Sequence, residues 1–223
     1  MIKQAETVKV NKASGNVIKL SKNHELITTS FHEAGHALCG LLFYMEIPSV
    51  VVKTSKVHVS GYTHYNMIND LNIKDLDIWA YLLFSEIYIS YAGLAAEKIF
   101  YKDISGSDKF PMVLKDGSSP DILDASKIIK KFNLASPGKK RNALKKKLFN
   151  KITRILKDNW DDLKLIAHTL FKCRKLYHND IKKLLTKKSK NKVYWKQQFK
   201  DINYLFNAPQ PLDDKDIGYI LRK

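Results

Sequence analysis

Two histidines and a glutamate stand close together in the stretch TTSFHEAGHALCGLL, residues 28–42. His32 and His36 are four residues apart, and Glu33 directly follows the first histidine. Residues at this spacing project from one face of a helix, so both imidazoles can bind one metal ion while Glu33 could deprotonate a water beside it. The H-E-x-x-H spacing is typical of zinc hydrolases.

The alternative for this stretch is a pair of core histidines bonded to carbonyl groups, with a surface glutamate beside them. The surrounding residues are apolar, as in the helix of a protein core. Three titratable groups in one buried segment are costly unless a metal ion holds them together. The pattern therefore favours a metal site over a structural one.

A catalytic zinc site also needs a third protein ligand and an open position. The candidate ligand is Asp121, in the stretch DGSSPDILDASKII, residues 116–129. Ser119 is a good N-cap and Pro120 suits the first helical position, which places Asp121 in the first turn, where the helix dipole favours a carboxylate. The spacing alone does not show whether Asp121 binds a metal ion or only stabilises the start of the helix.

The elements that must position these residues are mostly helical. Apolar periodicity predicts helices over residues 26–44 and 73–101. Between them, β-branched residues around a glycine predict two short strands, Val50–Lys53 and Val57–Tyr65. Residues 102–118 are rich in glycine and polar residues and are predicted to form a loop suited to an active-site flap. The predicted fold is mainly α, with a small β-sheet or hairpin beside the active-site helix.

One apolar segment, residues 78–96, is long enough to cross a membrane. Glu86 lies at its centre, and a carboxylate there favours a buried core helix, so we predict no membrane span. The first 20 residues show no apolar signal-peptide region. Cys39 and Cys173 form no Cys-x-x-Cys pair and are typical of a reducing compartment. We expect a cytoplasmic protein.

The net charge of +17 is concentrated in one part of the chain. Residues 127–200 contain 24 Lys and Arg against four acids, a local balance of +20. Apolar residues in this part keep helical spacing, so the lysines are predicted on the outer faces of amphipathic helices. The Pro-Gly step in NLASPGKKRN, residues 133–142, predicts a turn between two of these helices. A further helix is predicted over residues 194–206, followed by a tail that contains proline. A solvated helix surface is the simpler interpretation, and a site for an anionic partner such as nucleic acid is the alternative.

Four separated motifs follow one another along the chain: ELITTSFHEAGHAL, SGYTHY, AGLAAEKIF and GSSPDILDAS. In their order and spacing they resemble the peptidase domain of the FtsH family of AAA+ zinc metalloproteases. The resemblance spans roughly residues 22–186 and ends in LYHNDIKKLL, which is similar to the closing helix motif of that family.

The resemblance implies a zincin fold of the FtsH-peptidase type and a role for each matching residue. His32 and His36 match zinc ligands, and Glu33 matches the catalytic base. Asp121 matches the third zinc ligand, and Glu97, in AGLAAE, matches a glutamate that orients a ligand histidine. Two residues depart from the family pattern without removing a ligand: Leu94 replaces an arginine and Pro120 replaces an asparagine.

The 223 residues contain no Gly-x-x-x-x-Gly-Lys-Ser/Thr loop, so the resemblance implies the peptidase part in a stand-alone form without the ATPase module. The predicted organisation consists of a polar N-terminal lead-in at 1–21, a zinc-binding catalytic part at 22–126, a basic helical part of the same domain at 127–186 and a C-terminal extension at 187–223.

Together these features predict a zinc metalloendopeptidase that cleaves unfolded or flexible polypeptides without ATP. A separate ATPase or a homo-oligomer could assist it. The alternatives are a catalytically silent scaffold with the same fold and a basic protein that binds nucleic acid or another polyanion. The strand VHVSGYTHY is predicted to be an edge to which substrate could add as a further strand. Its candidate substrate-binding residues are Val57, Val59, Gly61, Tyr62 and Thr63.

Overall fold

The structure, a computed structural model, describes residues 22–55, 58–67, 75–106, 119–208, 212 and 214–221. This part of the chain is mainly helical, with a small antiparallel sheet of three strands, which confirms the predicted fold class. The elements, in chain order, are α1 (Lys22–Leu42), β1 (Glu46–Thr54), β2 (Val59–Asn66), α2 (Leu76–Ser105), α3 (Ser119–Lys131), α4 (Lys139–Asp158), α5 (Trp160–Cys173), β3 (Lys175–Tyr177), α6 (His178–Lys188), α7 (Lys192–Asn207) and α8 (Asp214–Leu221).

The central element is α1, which corresponds to the helix predicted over residues 26–44. From Ser30 to Leu41 every residue is buried. The helix packs against α2 and α5 and against the sheet, so it is enclosed on several sides. A helix that is apolar around its whole circumference is stable only in such a place. Its histidines therefore lie inside the protein.

The second long helix, α2, contains the apolar segment 78–96. Asp75 caps its N-terminus by accepting hydrogen bonds from the backbone N–H groups of Asp77 and Ile78. The helix is long and apolar enough to cross a membrane, but 61% of its most apolar window is buried inside the protein.

The C-terminal end of α2 corrects the predicted loop over residues 102–118. The helix continues to Ser105 and stops only where Gly106 takes the left-handed conformation, with φ +64°. Glycine adopts that conformation without a steric cost and is a common helix end. The rest of the predicted loop, residues 107–118, lies outside the described residues.

The three strands are ordered β2–β1–β3, and both pairings are antiparallel. The predicted strands correspond to β1 and β2, which pair with Val51 opposite Tyr62. The third strand was not predicted, because its three residues are too few to show a period; it pairs through Leu176 opposite Val50. Among the described strands, β2 lies at an edge, and its residues alternate between half-buried and exposed.

The basic part of the chain forms the amphipathic helices that its periodicity predicts. α3 ends at Lys131 and α4 begins at Lys139, so the break between them contains the Pro-Gly step of NLASPGKKRN, as expected of a turn. The helix predicted over residues 194–206 is α7, and its Trp195, Phe199 and Ile202 are buried in the same core as α1. The tail predicted after it contains a further helix, α8, which was not predicted.

Candidate metal centre

Three donor atoms from distant parts of the chain meet between α1, α2 and α3. The Nε2 atoms of His32 and His36 lie 2.9 Å apart. Asp121 Oδ2 lies 3.1 Å from Nε2 of His32 and 3.4 Å from Nε2 of His36. Both histidines are buried, and Asp121 is half-buried at the start of α3. The three side chains could therefore hold one metal ion.

The other ring nitrogen of each histidine is held by an oxygen acceptor. His32 Nδ1 lies 2.6 Å from Glu97 Oε1, and His36 Nδ1 lies 2.7 Å from the Ile89 carbonyl oxygen. A carbonyl oxygen can only accept, so His36 Nδ1 carries the proton. The Glu97 carboxylate favours the same tautomer of His32. These partners leave the lone pairs of both Nε2 atoms directed at the common centre, as in histidines that bind metals.

The electrostatics of the centre favour a positive charge between the donor atoms. Burial disfavours the imidazolium of His32, but hydrogen bonds to Asp121 and Glu97 outweigh it and raise the pKa of His32 to about 10. Burial also disfavours the Asp121 carboxylate, yet its contacts with both histidines lower the pKa of Asp121. A metal cation would supply the positive charge that a proton on His32 supplies otherwise. Its ligands would then be neutral imidazoles and a carboxylate.

The donor set and its dimensions suit zinc. Two imidazole nitrogens and a carboxylate oxygen form a donor set that catalytic zinc sites use. A tetrahedral ion with bonds of about 2.0–2.1 Å separates its ligand atoms by about 3.4 Å. The observed separations of 2.9, 3.1 and 3.4 Å are at or slightly below that value. Three protein ligands would leave a fourth position for water, as catalytic zinc sites require.

Glu33 is held beside this centre by β2. Its side chain is buried, and the Thr63 hydroxyl donates to Glu33 Oε2 over 2.8 Å. The other carboxylate oxygen lies over Gly61, where a Cβ atom would come within 2.5 Å of Glu33 Oε1. Position 61 therefore has to be glycine for the carboxylate to take this place. Glu33 is also close enough to help raise the pKa of His32.

A close approach of α1 and α2 makes these contacts possible. A Cβ atom at Gly93 of α2 would lie 2.5 Å from Nε2 of both His32 and His36. On α1, a Cβ atom at Gly35 would lie 2.6 Å from the Ala92 carbonyl oxygen. Both glycines are thus required by packing between the helices. Neither glycine was identified as important from the sequence, although the run of small residues in AGLAAE is the signal that marks a close helix contact.

The structure brings together His32, Glu33, His36, Glu97 and Asp121, the five residues selected from the sequence for the metal site and its surroundings. Their proposed roles stay predictions.

The residues selected from the sequence as a substrate-binding strand differ in whether they face the site. Gly61 and Thr63 face Glu33, whereas Tyr62 points outward with 37% of its surface exposed. Val59 is half-buried, and Val57 lies outside the described residues.

No model of a known protein family matches the chain, and no curated protein sequence matches it.

Proposed function

We propose that the chain is a zinc-dependent endopeptidase with a zincin fold similar to the FtsH peptidase domain. The observation that best supports this function is the convergence of the donor atoms of His32, His36 and Asp121 within 3.4 Å of one another. A metal site of this type beside a buried carboxylate is the arrangement that metallopeptidases use. The order of the four family-like motifs supports the same proposal.

When bound, zinc would supply a Lewis acid that activates water and polarises the peptide carbonyl. His32, His36 and Asp121 would hold it. Glu33 accepts the proton of the attacking water on its carboxylate and returns it to the amine that leaves. The hydrogen bond from Thr63 holds one carboxylate oxygen in place during both transfers.

The substrate class follows from the position of β2. This strand borders the site through Gly61 and Thr63 and is an edge among the described strands, so an extended polypeptide can pair with it. A folded domain exposes such a segment only by unfolding locally or globally, which a stability of about 5–15 kcal/mol makes rare. The enzyme therefore cleaves unfolded polypeptides and flexible tails. ATP does not affect its activity, because these residues contain no P-loop.

The test is the variant Glu33→Gln, assayed for zinc content by elemental analysis and for hydrolysis of casein. We expect zinc to be retained, because both imidazoles and Asp121 remain, and activity to fall by at least about a hundredfold, because glutamine cannot accept the proton. The matched control is Glu25→Gln, on the first turn of the same helix, which should keep both zinc and activity.

Two outcomes would contradict the proposal. Full activity in Glu33→Gln would show that Glu33 is not the base. Stoichiometric zinc without hydrolysis by the unmodified chain would indicate a metal-binding scaffold instead of an enzyme.

A further inference from the structure

The most positively charged element of the described fold is α4, which carries nine cations and one acid, Asp158. Its apolar face packs mainly against α2 and buries Leu148, Ile152 and Leu156. This packing fixes the rotation of the helix and holds the charged face toward solvent. The nine cations are Lys139, Lys140, Arg141, Lys145, Lys146, Lys147, Lys151, Arg154 and Lys157.

The position of these charges destabilises the helix. The first turn of α4 contains Lys139, Lys140 and Arg141 and no acid. A helix N-terminus carries a partial positive charge, so cations there are unfavourable. The neighbouring helix α5 follows the opposite and favourable pattern, with Asp161 and Asp162 in its first turn. The charge distribution of α4 is therefore not explained by its own folding.

Four of the cations form one narrow stripe on the solvent face. Lys140, Lys147, Lys151 and Arg154 are all exposed and recur at spacings of seven, four and three residues. At 100° per residue they fall within about 60° of the helix circumference and extend over about 21 Å along its axis. Like charges three and four residues apart repel and destabilise a helix. The stripe is therefore an unfavourable concentration of positive charge on a packed helix.

No carboxylate of the described residues relieves this repulsion, since none forms an ion pair with a cation of α4. Elsewhere the fold does pair its lysines: Asp161 of α5 binds both Lys164 and Lys190, at 3.1 and 2.8 Å. The nearest polar partner of Arg141 is a carbonyl oxygen, that of Ala135. Lys151 also lies over the Tyr88 ring, 5.4 Å from its centroid, a contact that leaves its positive charge in place. Among the described residues the charge of α4 is therefore not neutralised by a carboxylate and can attract a ligand.

We propose that this stripe, Lys140, Lys147, Lys151 and Arg154, binds the phosphate backbone of double-stranded nucleic acid. A duplex presents a regular line of negative charge, about one per 1.7 Å of its axis, and a straight row of cations complements it. Phosphate contacts of this kind do not depend on base sequence. None of these four residues is among those of the candidate metal centre, so the proposal does not depend on the peptidase function.

Other polyanions fit this surface less well. No large apolar side chain is exposed on α4, so the helix lacks the groups that insert into a membrane interface. It also lacks exposed aromatic rings on which the bases of a single strand could stack. The phosphates of a rigid duplex need neither feature.

The test measures binding of the full chain to a fluorescent DNA duplex of about 20 base pairs by anisotropy, at several salt concentrations. The test variant carries Lys140→Gln, Lys147→Gln, Lys151→Gln and Arg154→Gln. The control variant removes the same net charge from exposed positions of α6, with Lys182→Gln, Lys183→Gln, Lys187→Gln and Lys188→Gln. Circular dichroism establishes that both variants are folded.

We expect the unmodified chain to bind with an affinity that falls steeply with salt. The α4 variant should bind at least about tenfold more weakly at about 0.1 M salt, with the slope of log K against log salt reduced by about 3–4, since each phosphate contact contributes about 0.9. The α6 variant should bind within about threefold of the unmodified chain.

Three results would overturn the proposal. One is a salt slope shallower than about −3 for the unmodified chain, a measurement that needs no variant. Another is an equal loss of affinity in the α4 and α6 variants, which would mean that only the overall charge matters. The last is tighter binding to phosphatidylserine vesicles than to the duplex, which would identify a membrane surface as the partner.

Discussion

At the scale of single residues, each histidine of the candidate metal centre is oriented by one hydrogen bond at Nδ1, so that Nε2 could bind a metal ion. Glu97 provides that bond for His32, and the Ile89 carbonyl provides it for His36. The two partners differ in kind. A carboxylate adds negative charge and makes the imidazole a stronger donor to a metal, whereas a carbonyl mainly sets the orientation of the ring.

Asp121 is expected to contribute directly to zinc affinity. We predict that Asp121→Ala weakens zinc binding by at least about tenfold, because it removes one of three donor atoms. The control is Asp124→Ala, one turn further along α3, where the carboxylate is exposed and forms an ion pair with Lys127 at 2.7 Å. Competition with a zinc chelator measures both variants. Equal zinc affinity in the two would place the third ligand elsewhere.

Thr63 is expected to act on the reaction through Glu33. The variant Thr63→Val keeps the shape of the side chain but loses the hydroxyl that donates to Glu33 Oε2. We predict that kcat falls roughly ten- to hundredfold, the usual effect of removing a partner that orients a group in a metal site. Zinc content should not change, because Thr63 contacts none of the three donor atoms.

The matched variant Thr63→Ser restores a hydroxyl at the same position and should recover most of the activity. If valine and serine reduced kcat equally, the loss would come from packing of the strand and not from the hydrogen bond.

At the scale of elements, one face of α2 forms the wall of the metal centre. Ile89, Gly93 and Glu97 recur every four residues and therefore lie along the same side of the helix. Ile89 meets His36 and Glu97 meets His32, so the face runs antiparallel to α1. Gly93 lies between the two contacts, where its missing side chain leaves space for both imidazole rings.

We predict that Gly93→Ala disrupts the centre. The new methyl group would lie 2.5 Å from both Nε2 atoms, and overpacking of this kind costs typically 1–3 kcal/mol. The measurements are thermal unfolding and zinc content, and we expect both to fall.

The control for this prediction is Gly40→Ala on α1. There the nearest atom, 2.7 Å away, is Cδ1 of Ile47, the flexible end of a side chain. That variant should keep its zinc. A Gly93→Ala protein with normal zinc content would mean that α1 and α2 are further apart than described.

At the scale of the whole molecule, helices late in the chain support the helix that carries the H-E-x-x-H stretch. The side chain of Gln198 on α7 donates to the carbonyl oxygen of Leu41 at the end of α1, over 2.7 Å. Trp195 is fully buried, and its indole N–H donates to the buried carboxylate of Asp162 over 2.8 Å. The C-terminal part thus stabilises the same core as the metal centre.

We predict that Trp195→Ala lowers the free energy of unfolding by about 3–5 kcal/mol, the usual cost of removing a large buried aromatic side chain. The loss leaves a cavity and deprives the Asp162 carboxylate of its indole donor. The control is Tyr204→Ala on the same helix, which is 48% exposed and should change stability by less than about 0.5 kcal/mol. Denaturant unfolding measures both, and similar values would contradict the packing described for α7.

The sequence by itself determined the features that depend on local spacing. The interval of four residues places His32 and His36 on one face of a helix whatever the rest of the chain does. The apolar periods predicted α1, α2 and the amphipathic basic helices, and the Pro-Gly step predicted the turn before α4. A pattern of a few neighbouring residues is enough to predict such a segment, because the backbone geometry of a helix or turn is the same wherever it lies in the protein.

Only the tertiary structure decided which distant residues meet. Asp121 is 89 residues from His32, and its spacing alone did not show that α3 packs against α2 and brings this carboxylate next to the histidines. Thr63 was selected as a substrate-binding residue, yet it contacts Glu33 across a space that Gly61 leaves free. The close approach at Gly93 was missed for the same reason, and β3 was missed because its three residues are too few to show a period. Such contacts depend on how whole elements pack, and the periodicity of one segment does not indicate where another segment lies.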